Sequence, residues 1–154
     1  MGPNVRIARH ALAIDERRYD FEAIILQPRR NLDLKQVWFV GVHSDVGGSY
    51  KPDKGGALLS DIALGWMVGE AEQAGLSFEK HLGRRLKPDP TATLHDSSGL
   101  KFRSWKDTWR PINHRKGKVL IHKSVKQRYD QDSNYRPENL DEYVKKNGWQ
   151  TLEG

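Results

Sequence analysis

Apolar positions along the chain fall in short runs separated by polar stretches rich in glycine and proline, and each run has a period that predicts an element. In residues 6–17, Ile7, Ala8, Ala11, Leu12 and Ile14 stand at roughly helical spacing with charges between them, which predicts a short amphipathic helix carrying His10. A brief apolar run at residues 21–26 is stopped by Pro28, and residues 29–35 read as a polar loop. Residues 37–42, Val-Trp-Phe-Val-Gly-Val, are continuous, β-branched and aromatic, so they read as a strand buried on both faces of a parallel sheet.

The polar, glycine-bearing string from His43 to Tyr50 follows at once, as a strand-to-helix loop would. Ser60 is placed to cap a helix whose stripe Ile62, Ala63, Trp66, Met67, Ala71 and Ala74 runs until Gly75. Strand, loop and helix make half of a βαβ unit and predict an α/β fold with a parallel sheet flanked by helices. After Leu86 the texture is broken by Pro88, Pro90, Ser97, Ser98 and Gly99. Short strands are expected at residues 105–112 and 119–121, and a short helix at residues 124–129. Residues 130–154 read as a loosely structured tail with a last helix at residues 138–146. No internal repeat is present.

Candidate chemistry centres on His43. An imidazole directly after a buried strand, in a loop that Gly47 and Gly48 allow to turn sharply, suits a general base; it equally suits a histidine that packs and hydrogen-bonds at a strand end. Asp45 could share a metal with it, but two ligands are too few, and a role in capping or turning the loop fits better. His10, His81, His95, His114 and His122 have no partner at metal-ligand spacing, so neither a metal nor a cofactor is expected. Asp15 and Glu16 sit beside Arg17 and Arg18, where ion pairing accounts for them.

The charge adds a direction to this picture. The net +6 divides into +10 over residues 81–129 and −4 over the remainder, which invites an anionic partner such as a membrane surface; nucleic acid is not favoured. Length suits one compact domain, divided here into residues 1–129 and a tail at residues 130–154. With no cysteine, disulfides, thiolate zinc sites and a cysteine nucleophile are excluded. Residues 1–9 lack a signal-peptide core, and no apolar run is long enough to span a bilayer.

The string Trp38-Phe39-Val40-Gly41-Val42-His43-Ser44-Asp45-Val46-Gly47-Gly48-Ser49-Tyr50 closely resembles the W-F-x-G-x-H-x-D-V-G-G-x-Y signature of the α/β-hydrolase family that includes the type VI secretion phospholipase effectors. Residues 9–18 resemble the R-H-A-x-x-x-D-E-R-R element of the same family, and Leu59 to Met67 its following helix. His122-Lys123-Ser124-Val125 and Tyr135-Arg136-Pro137-Glu138-Asn139-Leu140 resemble its closing motifs. The resemblance implies a serine esterase acting on phospholipid or other lipid esters. His43 would be the triad histidine, taking the proton from the serine and returning it to the leaving group.

The resemblance also implies an incomplete fold, the C-terminal part of an α/β-hydrolase. No Gly-x-Ser-x-Gly nucleophile elbow occurs in the chain, so the serine and the oxyanion-hole loop belong to a missing N-terminal half. The triad acid is expected in that half too; Asp15 is the candidate within this chain. Without that half the chain is expected to be inactive alone. Its place would be the producing cell's cytoplasm or export by the type VI system. The competing reading, from another class, is a non-catalytic binding or regulatory module that uses its basic segment to hold an anionic membrane or a partner half. A metal hydrolase on His43 and Asp45 is the weakest of the three.

Overall fold

The protein is described from a computed structural model, which covers residues 2–97, 108–113, 118–149 and 152–154. Four parallel strands form one sheet in the order β1 (Ile7–Ala13), β2 (Asp33–Phe39), β3 (Leu120–His122) and β4 (Leu152–Glu153). Among the described residues, five α-helices accompany them: α1 (His43–Gly47), α2 (Ser60–Gln73), α3 (Lys80–Gly83), α4 (Lys123–Gln131) and α5 (Glu138–Asn147). The architecture is α/β, with the crossovers that parallel strands require.

β2 is the interior strand that its composition predicts, paired with β1 on one side and β3 on the other. Its ladder begins earlier than expected, at Asp33, within the stretch read as a loop. Val37, Trp38, Phe39, Val40 and Val42 are all buried, because neighbouring strands take the backbone edges and packed side chains cover the faces. Phe39 stands 5.5 Å from Trp66 of α2 and stacks on His122 at 4.8 Å. Leu12, Ile14, Leu59, Ile62, Ala63, Ala92, Ile112, Ile121, Val125, Tyr135 and Leu140 belong to the same continuous core.

Two expectations are corrected. Residues 6–17 do not form a helix: Ile7–Ala13 is a strand in seven-residue register with Asp33–Phe39, and His10 lies opposite Gln36, whose side chain it meets at 3.3 Å. A spacing of four residues returns to the same face in a strand as well as in a helix. Ala8 and Leu12 therefore fit both periods, and pairing with β2 decides between them. The described residues from 130 onward, 130–149 and 152–154, are not a loose tail either. α5 seats Leu140 in the core with no exposed surface, and β4 pairs with β3.

The helix expected at residues 138–146 and the strand at residues 119–121 correspond to α5 and β3. Residues 108–113 carry no strand, and residues 105–107 lie outside the described residues. No helix among those described is long and apolar enough to cross a membrane.

β1 is an edge of the sheet: among the described residues no strand pairs with its outer side. Beside that edge runs an open groove of about 890 Å³, with residues 9–13 of β1 along one wall. Leu64 and Met67 of α2 and Phe21, Ala23, Ile24 and Leu26 of the β1–β2 connection supply much of its apolar lining.

Candidate active site

The backbone leaves β2 through a turn that only glycine accommodates. Gly41 has φ +116°, and a Cβ there would lie 2.3 Å from Cβ of Asp45. Immediately after it, α1 begins at His43. His43 is thus the first helical residue beyond the carboxyl end of an interior parallel strand, where α/β sheets place their ligands.

Three consecutive N–H groups at this junction are received by three different carboxylates. Gly41 donates to Asp15 Oδ2 at 2.6 Å, Val42 to Asp45 Oδ2 at 3.1 Å, and His43 to Glu16 Oε2 at 3.1 Å. All three acids are buried. Buried backbone donors need partners, and here side chains supply what neither strand nor short helix can. Asp15 and Glu16 come from the end of β1, whose parallel register brings its carboxyl end beside that of β2.

Each carboxylate is held in turn by a second group. The Tyr135 hydroxyl donates to Asp15 Oδ2 at 3.1 Å. Arg18 grips both oxygens of Glu16, at 2.9 and 2.8 Å, and its guanidinium lies over the Phe21 ring. His95 gives Asp45 two bonds, from Nδ1 at 2.6 Å and from its backbone N–H at 3.2 Å, while Tyr50 stacks flat on the imidazole at 3.6 Å.

The two β1 acids differ in ionisation. Burial raises Asp15 to about 6, although the bonds from Gly41 and Tyr135 pull the other way. Burial would raise Glu16 too, but the Arg18 side chain, with the Arg18 and His43 amides, holds it at about 2. Tyr135 is raised well above its ordinary value by burial and by Asp15 beside it.

The His43 ring is exposed and lines the groove with Glu16, Phe21, Ala63, Leu64, Met67 and Arg110. It meets the edge of Phe21 at 5.2 Å. The structure therefore brings His43 and Asp15 to one junction without joining their side chains: Asp15 serves the Gly41 amide and the Tyr135 hydroxyl. Residues 43–47 form α1 instead of the expected strand-to-helix loop, so Asp45 does not turn a loop but caps the start of this helix by accepting from the Val42 amide. An exposed imidazole in a largely apolar groove can accept a proton from a hydroxyl delivered there by another segment.

Sequence reading left His95 without a partner; its partner is Asp45, fifty residues away, and no local spacing signals that. His122 is buried, with Nδ1 2.8 Å from Ser124 Oγ and accepting from the Ser124 amide, so it caps α4. Burial and the Lys123 charge lower it to about 4. His114 lies outside the described residues. Among the described residues no cluster of three or more His, Asp or Glu could hold a metal ion.

These features define an α/β protein with an imidazole site at the carboxyl end of an interior strand. The model of the family described as "T6SS, Phospholipase effector Tle1-like, catalytic domain" matches residues 1–70, the part that carries β1, β2, α1 and most of α2. An uncharacterized protein of Saccharomyces cerevisiae is 38% identical over 71 residues, which cover 46% of this chain and 10% of the yeast protein. The match thus spans about a tenth of that relative's length. No solved structure matches.

Proposed function

We propose that this chain is part of a phospholipase- or lipase-like serine-hydrolase catalytic domain and supplies its histidine base, His43. The nucleophilic serine comes from a segment outside this sequence. The observation that carries the reading is the position of His43: exposed in an apolar groove at the end of β2, within the region that matches a phospholipase-effector catalytic domain. Substrates of this reading are phospholipid or other lipid esters, for which the groove's apolar wall suits an acyl chain.

The serine-bearing half would dock along the outer edge of β1, with which no strand among the described residues pairs and near which Ile7, Ile24 and Leu64 are exposed, favouring an added strand. Asp15 remains the candidate acid of this chain, in a positioning role: by fixing Gly41 it sets where His43 starts. In this structure its carboxylate does not reach the His43 ring, which agrees with a triad acid supplied by the other half.

The experiment assays short-chain esters and phospholipids with three proteins: this chain, a longer protein carrying an upstream Gly-x-Ser-x-Gly segment, and the His43→Ala variant of the longer one. Turnover is expected only in the unmodified longer protein. The substitution should lower it by several orders of magnitude, because triad members act as a unit. Robust turnover by the 154-residue chain, or full activity in the variant, refutes the assignment.

A further inference from the structure

We propose that His95 is a positioning residue for His43, acting through Asp45. The inference rests on the reading of His43 as the base, and it deepens that reading by naming what aims the imidazole.

α1 has five residues, too few to hold its own shape, and it is bounded by Gly41 and Gly48, both at positive φ. Its direction must come from outside bonds. One is Glu16 at the His43 amide, fixed from the β1 side by Arg18. The other is the pair of bonds from His95 to Asp45 of α1, whose Oδ2 also reaches back to the Val42 amide.

Asp45 is 3% exposed, so its oxygens need partners within the protein. Oδ2 takes the amides of Val42 and His95, and Oδ1 takes Nδ1 of His95. The bond fixes the tautomer, with the proton on Nδ1, and Tyr50 covers the ring's face. Removing the imidazole leaves Oδ1 buried and unpaired, which favours swinging Asp45 outward. That motion releases the Val42 amide, and with it the first turn of α1 that carries His43.

The test uses the ¹⁵N-labelled 154-residue chain with His95→Leu and His95→Asn, the second keeping a side-chain N–H near the place of Nδ1. Amide exchange is followed at Val42 and His43, with Val37 and Trp38 in the core of β2 as internal references, together with the His43 imidazole resonances. In His95→Leu, exchange at Val42 and His43 should rise by about tenfold or more, as loss of a buried partner predicts. The His43 ring signals should move while the references hold, and His95→Asn should return both readouts toward the parent. Unchanged exchange in a folded His95→Leu protein, or no rescue by Asn, overturns the proposal. Should the Leu variant fail to fold, His95→Asn decides alone: retained protection supports the proposal and lost protection overturns it.

Turnover of the longer, serine-bearing protein separates the two claims. His95→Leu should lower kcat with KM little changed, and His95→Asn should recover it. If His95→Asn abolishes turnover while exchange stays protected, His95 acts on the reacting atoms itself and the positioning role is overturned. If His43→Ala leaves turnover intact, the esterase reading fails while the exchange result still decides whether His95 aims His43.

Discussion

Replacing Asp15 by Asn should change how stability depends on pH more than it changes the structure. The carboxamide oxygen can still accept from the Gly41 amide and the Tyr135 hydroxyl, so both bonds at Oδ2 have a counterpart. What disappears is a titration. Burial lifts Asp15 from the ordinary 3.8 to about 6 in the folded protein. Below pH 3.8 both folded and unfolded chains hold the proton, and the group is neutral in its effect. Between 3.8 and about 6 the unfolded chain releases its proton first, so stability falls as pH rises. Above about 6 both forms are ionised and the full cost is present.

At about 1.4 kcal/mol per pH unit, that cost is roughly 3 kcal/mol at neutral pH. Urea unfolding of the parent and Asp15→Asn at several pH values between about 3.5 and 7.5 measures it, because every other titrating group is common to both. The variant should gain on the parent as pH rises from about 4 to 6 and hold that gain above. A difference that stays constant across the range, or shrinks with rising pH, would refute the reasoning that burial dominates at Asp15.

Other outcomes follow from the same structure. Gly41→Ala should destabilise the protein by about 3 kcal/mol or more, because it adds a strained φ to a Cβ contact of 2.3 Å with Asp45; thermal and urea unfolding check it. Leu140→Ala should cost about 2–5 kcal/mol in urea unfolding, as for a fully packed core leucine, whereas a residue in a loose tail would cost almost nothing. The segment at residues 81–129 should give binding to anionic vesicles that weakens with added salt, carried by the exposed Arg84, Arg85 and Lys123. Binding below the full +10 is expected, because Arg110 and Arg128 turn onto backbone carbonyls; equal binding to neutral vesicles counts against the idea.

The sequence by itself determined the elements whose local pattern and tertiary environment agree. Residues 37–42 are so uniformly apolar and β-branched that an interior strand is the one place they can all be buried, and that in turn put His43 at its carboxyl end. Helix α2 was legible in the same way, from its apolar spacing and the glycine that ends it, and short helices were expected where α4 and α5 lie. Tertiary structure decided the rest. Ala8 and Leu12 satisfy helical and extended periods alike, and the seven-residue register with β2 made their segment a strand. The motif containing Asp15 and Glu16 suggested an acid or an ion pair, but their duties, holding the Gly41 and His43 amides, exist only because parallel pairing sets the ends of β1 and β2 side by side. His95 meets Asp45 across fifty residues, and α5 joins the core by packing Leu140 with residues more than a hundred positions earlier. Local spacing encodes period and termination, whereas partnership between buried polar groups depends on which distant segments are packed together.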